Sequence, residues 1–220
     1  MGQSKRHLRL CKALYEMIVA VCEGRHTVGA DQFVYFDAGN AKRVLAPDAF
    51  VTLGVPDHDF DSYLVWEEGT PDVAFELLSP SDTPERWTFK QKLRRYQALG
   101  VRELVVFNVD AKPGKRLRVW DRIQQDFVER LVVGEKTPCV TLDLTMKIGP
   151  IYEYPAMLRL ARDARGEDLV LAAEERVAAC AAERDAYAAE RDTYAAERDA
   201  YAARVAELEK QVASRKRKRS

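Results

Sequence analysis

Pro71-Asp72-Val73-Ala74-Phe75-Glu76-Leu77-Leu78-Ser79-Pro80, followed by Lys90-Gln91-Lys92-Leu93-Arg94-Arg95-Tyr96, decides how this chain is read. The first run carries a short apolar strand, Val73–Leu78, that ends in the turn-rich Ser79-Pro80-Ser81-Asp82-Thr83-Pro84. Strand parity puts Asp72, Ala74 and Glu76 on one face and Val73, Phe75 and Leu77 on the other. The second run has helical spacing. From about Glu85 to Leu99, Phe89, Leu93 and Tyr96 share a stripe, and Gly100 closes the helix. Val101–Asp110 is again strand-like, with Leu104-Val105-Val106-Phe107 at its centre. Strands, a helix and a further strand make a mixed α/β or α+β sheet.

Working outward, residues 7–23 read as an amphipathic helix. Leu8, Leu10, Leu14, Met17, Ile18 and Val21 lie on one side, Lys12, Glu16 and Glu23 on the other, and Gly24 follows as a stop. Gln32-Phe33-Val34-Tyr35-Phe36 is rich in β-formers, and a strand is expected from Ala49 to about Leu53, with Pro47-Asp48 just ahead of it. The acidic, aromatic stretch from Pro56 to Gly69 reads as a loop. Pro113-Gly114 turns the chain, and Leu117–Trp120 and Phe127–Val133 continue the sheet in antiparallel fashion.

The chain has 220 residues, which suits one globular domain with an appendage. Charged residues make up 32%, above the usual quarter or so, because the C-terminal end is dense in charge. After Gly166 the composition changes. Ala181–Tyr187, Ala188–Tyr194 and Ala195–Tyr201 repeat one seven-residue unit. With the tyrosines at d, the d positions are Ala173, Cys180, Tyr187, Tyr194, Tyr201 and Leu208. The a positions are Val177, Arg184, Arg191, Arg198, Val205 and Val212. This is a heptad seam, apolar at its ends and charged in the middle, which fits either a coiled coil or a long solvated helix. A cationic run, Arg215-Lys216-Arg217-Lys218-Arg219, follows; it suits DNA phosphates, another acidic partner, or simple solubility.

Four cysteines, Cys11, Cys22, Cys139 and Cys180, form no CxxC pair and fit reduced thiols rather than a zinc knuckle. There is no signal-like segment and no long apolar run, so a soluble cytoplasmic protein with no membrane partner is expected. His7, His26 and His58 are scattered, which argues against a metal role for them. Without a Gly-rich phosphate loop, no nucleotide cofactor is expected.

Two carboxylates on one face of an apolar strand need compensation if that face is covered. Mg²⁺ or Mn²⁺ would supply it through oxygen ligands, with Asp48 from a neighbouring strand completing the set and a nearby lysine serving the attacking water. The competing reading makes Asp72 a turn residue, pairs Glu76 with Lys92 or Arg95 as a structural ion pair, and leaves Lys90 merely solvated.

The run PDVAFELLSPSD, with Lys92-Leu93-Arg94-Arg95-Tyr96-Gln97-Ala98-Leu99-Gly100-Val101-Arg102-Glu103-Leu104, resembles the Uma-type restriction endonuclease family of the PD-(D/E)XK nuclease superfamily. The likeness extends upstream to Asp31–Asn40, Ala46-Pro47-Asp48 and Tyr63–Gly69, over about residues 7 to 165. It implies a restriction-endonuclease-like α/β core that hydrolyses DNA phosphodiesters with Mg²⁺ or Mn²⁺. By the same resemblance Asp48 and Glu76 are the metal-holding catalytic acids. The superfamily's lysine two residues after the second acid is missing, since Leu78 stands there; the role falls to Lys92 on the helix, with Lys90 and Asp72 as supporting candidates. The acid expected a turn before the helix lysine is absent, with Thr88 near that place, and the helix start Asp82–Trp87 is altered.

The expected organisation is thus a nuclease-like domain over 1–165, a coiled-coil arm over 166–213 that could make a homodimer, and a basic tail over 214–220. A non-catalytic nuclease fold that binds DNA or a partner is the second reading.

Overall fold

The computed structural model describes residues 4–80 and 87–217. Met1–Ala173 and Glu174–Ser220 form two compact units.

The centre of the first unit is a six-stranded mixed sheet ordered β1-β4-β6-β7-β8-β9. Its strands are β1 (Thr27–Gly29), β4 (Ala49–Thr52), β6 (Val73–Leu78), β7 (Glu103–Asn108), β8 (Leu117–Ile123) and β9 (Asp126–Arg130). Only β6 and β7 pair in parallel, Val73 opposite Glu103 through Leu78 opposite Asn108; every other pairing in the sheet is antiparallel. A parallel pair needs a crossover, and helix α3 (Phe89–Leu99) supplies it. The mixed α/β architecture expected from sequence is therefore present.

Parity on β6 organises the layers. Val73, Phe75 and Leu77 face a core containing Leu10, Leu14, Met17 and Ile18 of helix α1 (Lys5–Cys22). That core also holds residues of a three-stranded antiparallel sheet, β10 (Lys136–Cys139), β11 (Leu144–Ile151) and β12 (Tyr154–Ala161). Ala74 faces the other way, into a cluster with Tyr96 and Leu99 of α3, Trp120, and Val34, Leu45 and Tyr63. The last three come from a small sheet of β2 (Val34–Tyr35), β3 (Val44–Leu45) and β5 (Tyr63–Leu64). The central sheet is thus covered on both faces, as strands β6 and β7, buried at all but their last residues, require.

Local signals fix the helix ends. Ser4 caps α1 by accepting the His7 N–H, and the chain leaves through Glu23 and Gly24, both left-handed, at φ 50° and 72°. Thr88 and Gln91 form a reciprocal capping box, so the described part of α3 begins at Phe89. The altered stretch at 82–86 lies outside the described residues. The segment from Pro56 to Gly69 is not all loop: it carries β5 and a single helical turn, α2 (Val65–Glu68). Tyr63 is fully buried there and its hydroxyl lies 2.6 Å from Thr52 Oγ1, a tertiary anchor with no periodic sequence signature.

Leu169, which bridges to Ala161, and the buried Val170 and Ala172 carry the compact unit past residue 165. Helix α4 (Ala173–Arg217) contains the heptads and continues through Arg215, Lys216 and Arg217; Lys218 and Arg219 lie outside the described residues. No described helix is long and apolar enough to cross a membrane.

Candidate active site

The β4–β6 ladder pairs Ala49 with Phe75, and one more step of that register would set Asp48 across from Glu76. The ladder stops before that step. Asp48 turns and its Oδ2 accepts the Leu77 N–H at 2.6 Å, a charge-assisted bond that locks the carboxylate to β6. Its Oδ1 receives two further groups from α1, His7 Nε2 at 3.2 Å and Cys11 Sγ at 3.5 Å. His7 Nδ1 lies 3.0 Å from Ser79 Oγ, just beyond the end of β6. His7 and Cys11 are four residues apart on one helical face, which brings both to the same carboxylate.

Glu76 is 4% exposed and projects toward α3. Lys92 Nζ donates to its Oε2 at 2.6 Å, and the Tyr96 hydroxyl donates to its Oε1. One helical turn separates Lys92 from Tyr96, so α3 presents both donors to one acid. Burial pushes the Glu76 carboxyl up to about 7 against the opposing pull of the Lys92 ammonium, and the nearby Asp48 charge pushes it further in the same direction. His7 is raised above its ordinary 6.5, chiefly by its bond to Asp48 and against the cost of burial. Cys11 is held as a thiol by burial, with Asp48 adding to the effect.

Asp48, Glu76 and Lys92 therefore gather at one end of the sheet. Asp72 does not join them. It lies four residues from Glu76 along an extended chain, about 13 Å at 3.3 Å per residue. Its carboxylate is already engaged, with Oδ2 accepting the Leu53 N–H at 2.7 Å and Oδ1 lying 3.0 Å from Arg102 Nε. Lys90 is exposed on the first turn of α3.

A cavity of about 620 Å³ opens over Glu76 and Lys92, and Lys42, Arg95, Phe33 and Trp87 also line it. The Arg95 guanidinium stacks 4.1 Å from the Trp87 ring and donates to Val44 O at 2.7 Å. Cations and aromatic faces around a buried acid suit a phosphate-bearing, base-bearing ligand. A larger cavity, about 740 Å³, lies near Leu78, Arg118 and Leu131 and includes neither Asp48 nor Glu76. Sequence reasoning missed His7, Cys11, Lys42 and the positioning of Tyr96. The four-residue spacings of His7 with Cys11 and of Lys92 with Tyr96 were the available signals.

Residues 1–146 match the family model Uma2, described as "putative restriction endonuclease". Among solved structures, a "putative nuclease belonging to DUF820" from Anabaena variabilis is similar at 15% identity and a TM-score of 0.46, covering 64% of this chain and 75% of that one. No curated protein matches the chain. The family match spans well over half the sequence, and the chain belongs to the Uma2 family.

Proposed function

We propose that this protein is a metal-dependent endonuclease that hydrolyses DNA phosphodiester bonds. The observation that carries this reading is the buried Glu76, paired with Lys92 and close enough to Asp48 to feel its charge, at the floor of a cationic cavity. Two acids held near one another at a sheet end offer carboxylate oxygens to a hard divalent cation. Asp48 and Glu76 would hold it. Bound Mg²⁺ or Mn²⁺ would supply Lewis-acid polarisation of the phosphate and a water of lowered pKa.

The chain's own groups supply the rest. Leu77 N fixes Asp48 Oδ2, and the Tyr96 hydroxyl fixes Glu76 Oε1, so neither acid is free to swing away. Lys92 Nζ holds positive charge beside the cavity, where it stabilises charge developing on a phosphoryl oxygen and orients water. Lys42 and Arg95 hold flanking phosphates, and Phe33 and Trp87 offer faces for unstacked bases. The basic residues from Arg215 to Arg219 add salt-dependent attraction to the polyanion, and the heptads of α4 pair two copies.

The test is conversion of supercoiled plasmid to nicked and linear forms with Mg²⁺ or Mn²⁺. Glu76→Ala and Asp48→Ala should reduce cleavage to background while their circular dichroism stays that of the parent. Salt-sensitive DNA binding without cleavage by the parent would instead assign a non-catalytic binding role to the same fold.

A further inference from the structure

We propose that His7 Nε2, Cys11 Sγ and an Asp48 carboxylate oxygen form a second metal site, selective for a thiophilic divalent cation of the zinc class. All three residues are buried, and their ligand atoms lie within 4.8 Å of one another. His7 and Cys11 approach the same oxygen, Asp48 Oδ1, at 3.2 and 3.5 Å. A tetrahedral zinc with bonds of about 2.0–2.3 Å sets its ligand atoms roughly 3.3–3.8 Å apart, so the two edges that meet at Asp48 Oδ1 already have nearly that spacing.

A separate feature points the same way. Ser79 Oγ sits 3.0 Å from His7 Nδ1, on the far side of the ring, so the ring is oriented with Nε2 aimed at Cys11 and Asp48. An outer partner on the second ring nitrogen is the usual support of a metal-bound histidine. The donor set then decides the metal. A thiolate and an imidazole with one carboxylate favour zinc or cobalt over magnesium, which takes oxygen ligands. Three protein ligands leave a fourth position for water. Binding sends the Cys11 thiol proton and the proton shared by His7 and Asp48 to solvent.

The site has a consequence for the activity proposed above, and this consequence rests on that reading. Asp48 belongs to both ligand sets. A zinc ion held by α1 takes up Asp48 Oδ1 and offsets the charge of the carboxylate, so occupancy of the second site competes with the metal shared by Asp48 and Glu76 and inhibits cleavage. The α1 pair would thus act as a sensor of thiophilic metal built against the acid that cutting requires.

Cobalt(II) titration of the full chain tests the site, with the exposed thiol removed by Cys180→Ser. The expected result is a single equivalent bound, with thiolate-to-cobalt charge-transfer absorption in the near ultraviolet that zinc displaces. Cys11→Ala should remove that band and His7→Gln should weaken binding by at least an order of magnitude, with circular dichroism confirming that each variant is folded. Should Cys11→Ala fail to fold, Cys11→Ser serves instead, since a hydroxyl gives no such band. No charge-transfer band in the parent, or one that survives loss of Cys11, overturns the site. This readout needs no cleavage, so its failure is distinct from failure of the nuclease reading. In the plasmid assay, cleavage undiminished at saturating zinc would overturn the inhibitory consequence.

Discussion

Three donors converge on Asp48, the Leu77 amide and the side chains of His7 and Cys11, and together they set how this acid behaves. The His7 bond makes stability depend on pH. His7 is raised above 6.5 in the fold, so its stabilisation is complete below 6.5 and is lost as pH climbs through the higher folded value. Glu76, raised to about 7, slopes in the same direction between 4.5 and 7, but a comparison that leaves Glu76 in place cancels most of its contribution. With metal chelated, urea midpoints of the parent should exceed those of His7→Gln at pH 6, and the gap should shrink toward pH 8. A gap constant with pH would mean that the His7–Asp48 bond carries no charge. The convergence of Asp48, Glu76 and Lys92 was legible in the sequence because a proline-led acid, an acid on an apolar strand and a lysine a turn before a tyrosine form a pattern along the chain. His7 and Cys11 were legible only as a pair on one helix face, because nothing in α1 itself says which strand end that face will cover. Asp72 misled through parity: it shares Glu76's alternation but not its position along the strand, and its carboxylate is engaged by Leu53 N and Arg102 instead.

At the scale of elements, β6 matched its expected bounds, and α1 ended near its expected stop, because strand parity and helical spacing are local signals. The sheet of β10, β11 and β12 was not anticipated. Gly149 and Pro150 interrupt the apolar run of β11, and the strand is held by pairing to β12 across a register shift between Gly149 and Ile151. Likewise β1 has only three residues, and its existence depends on packing. Gly29 sits opposite Phe50 of β4, and a Cβ there would collide with the Phe50 ring. Gly29→Ala should destabilise the fold by about 1–3 kcal/mol in urea unfolding, with part of the loss recovered when Phe50→Leu is added. Where β7 meets the second sheet, buried Glu103 accepts the Thr141 N–H at 2.9 Å and the Val140 N–H at 3.3 Å, and lies 3.1 Å from Arg130 Nη2. Removing this acid leaves two amides and one side of a guanidinium unanswered, although Arg130 keeps Asp121. Glu103→Ala should therefore cost about 3 kcal/mol, read as a lowered midpoint at unchanged slope. A loss under about 0.5 kcal/mol would show that water replaces the carboxylate there.

For the whole molecule, the open question is what the 45 residues of α4 do, a helix of about 68 Å at 1.5 Å per residue. A helix so rich in alanine and charge can persist alone, but its exposed residues are not random. Val177, Tyr187, Tyr194, Tyr201, Val205 and Leu208 all stand in solvent at heptad positions. Arginine at a should oppose pairing. Yet Arg184, Arg191 and Arg198 each bond the aspartate that follows, at 2.9, 2.9 and 2.8 Å, which offsets part of the positive charge along the seam. These pairs are highly exposed and weak, so the apolar stripe must supply most of the association. The prediction is a weak dimer, one that responds to concentration and to loss of the tyrosines. Light scattering at tens of micromolar should give twice the chain mass for the parent. It should give the single mass for Tyr187→Glu/Tyr194→Glu/Tyr201→Glu, with the melting of the compact unit unchanged because that unit has its own core. A parent that stays monomeric would make α4 a solvated single helix and leave its basic residues as a contact for one DNA at a time. A triple variant that stays dimeric would move the interface off the heptad stripe altogether.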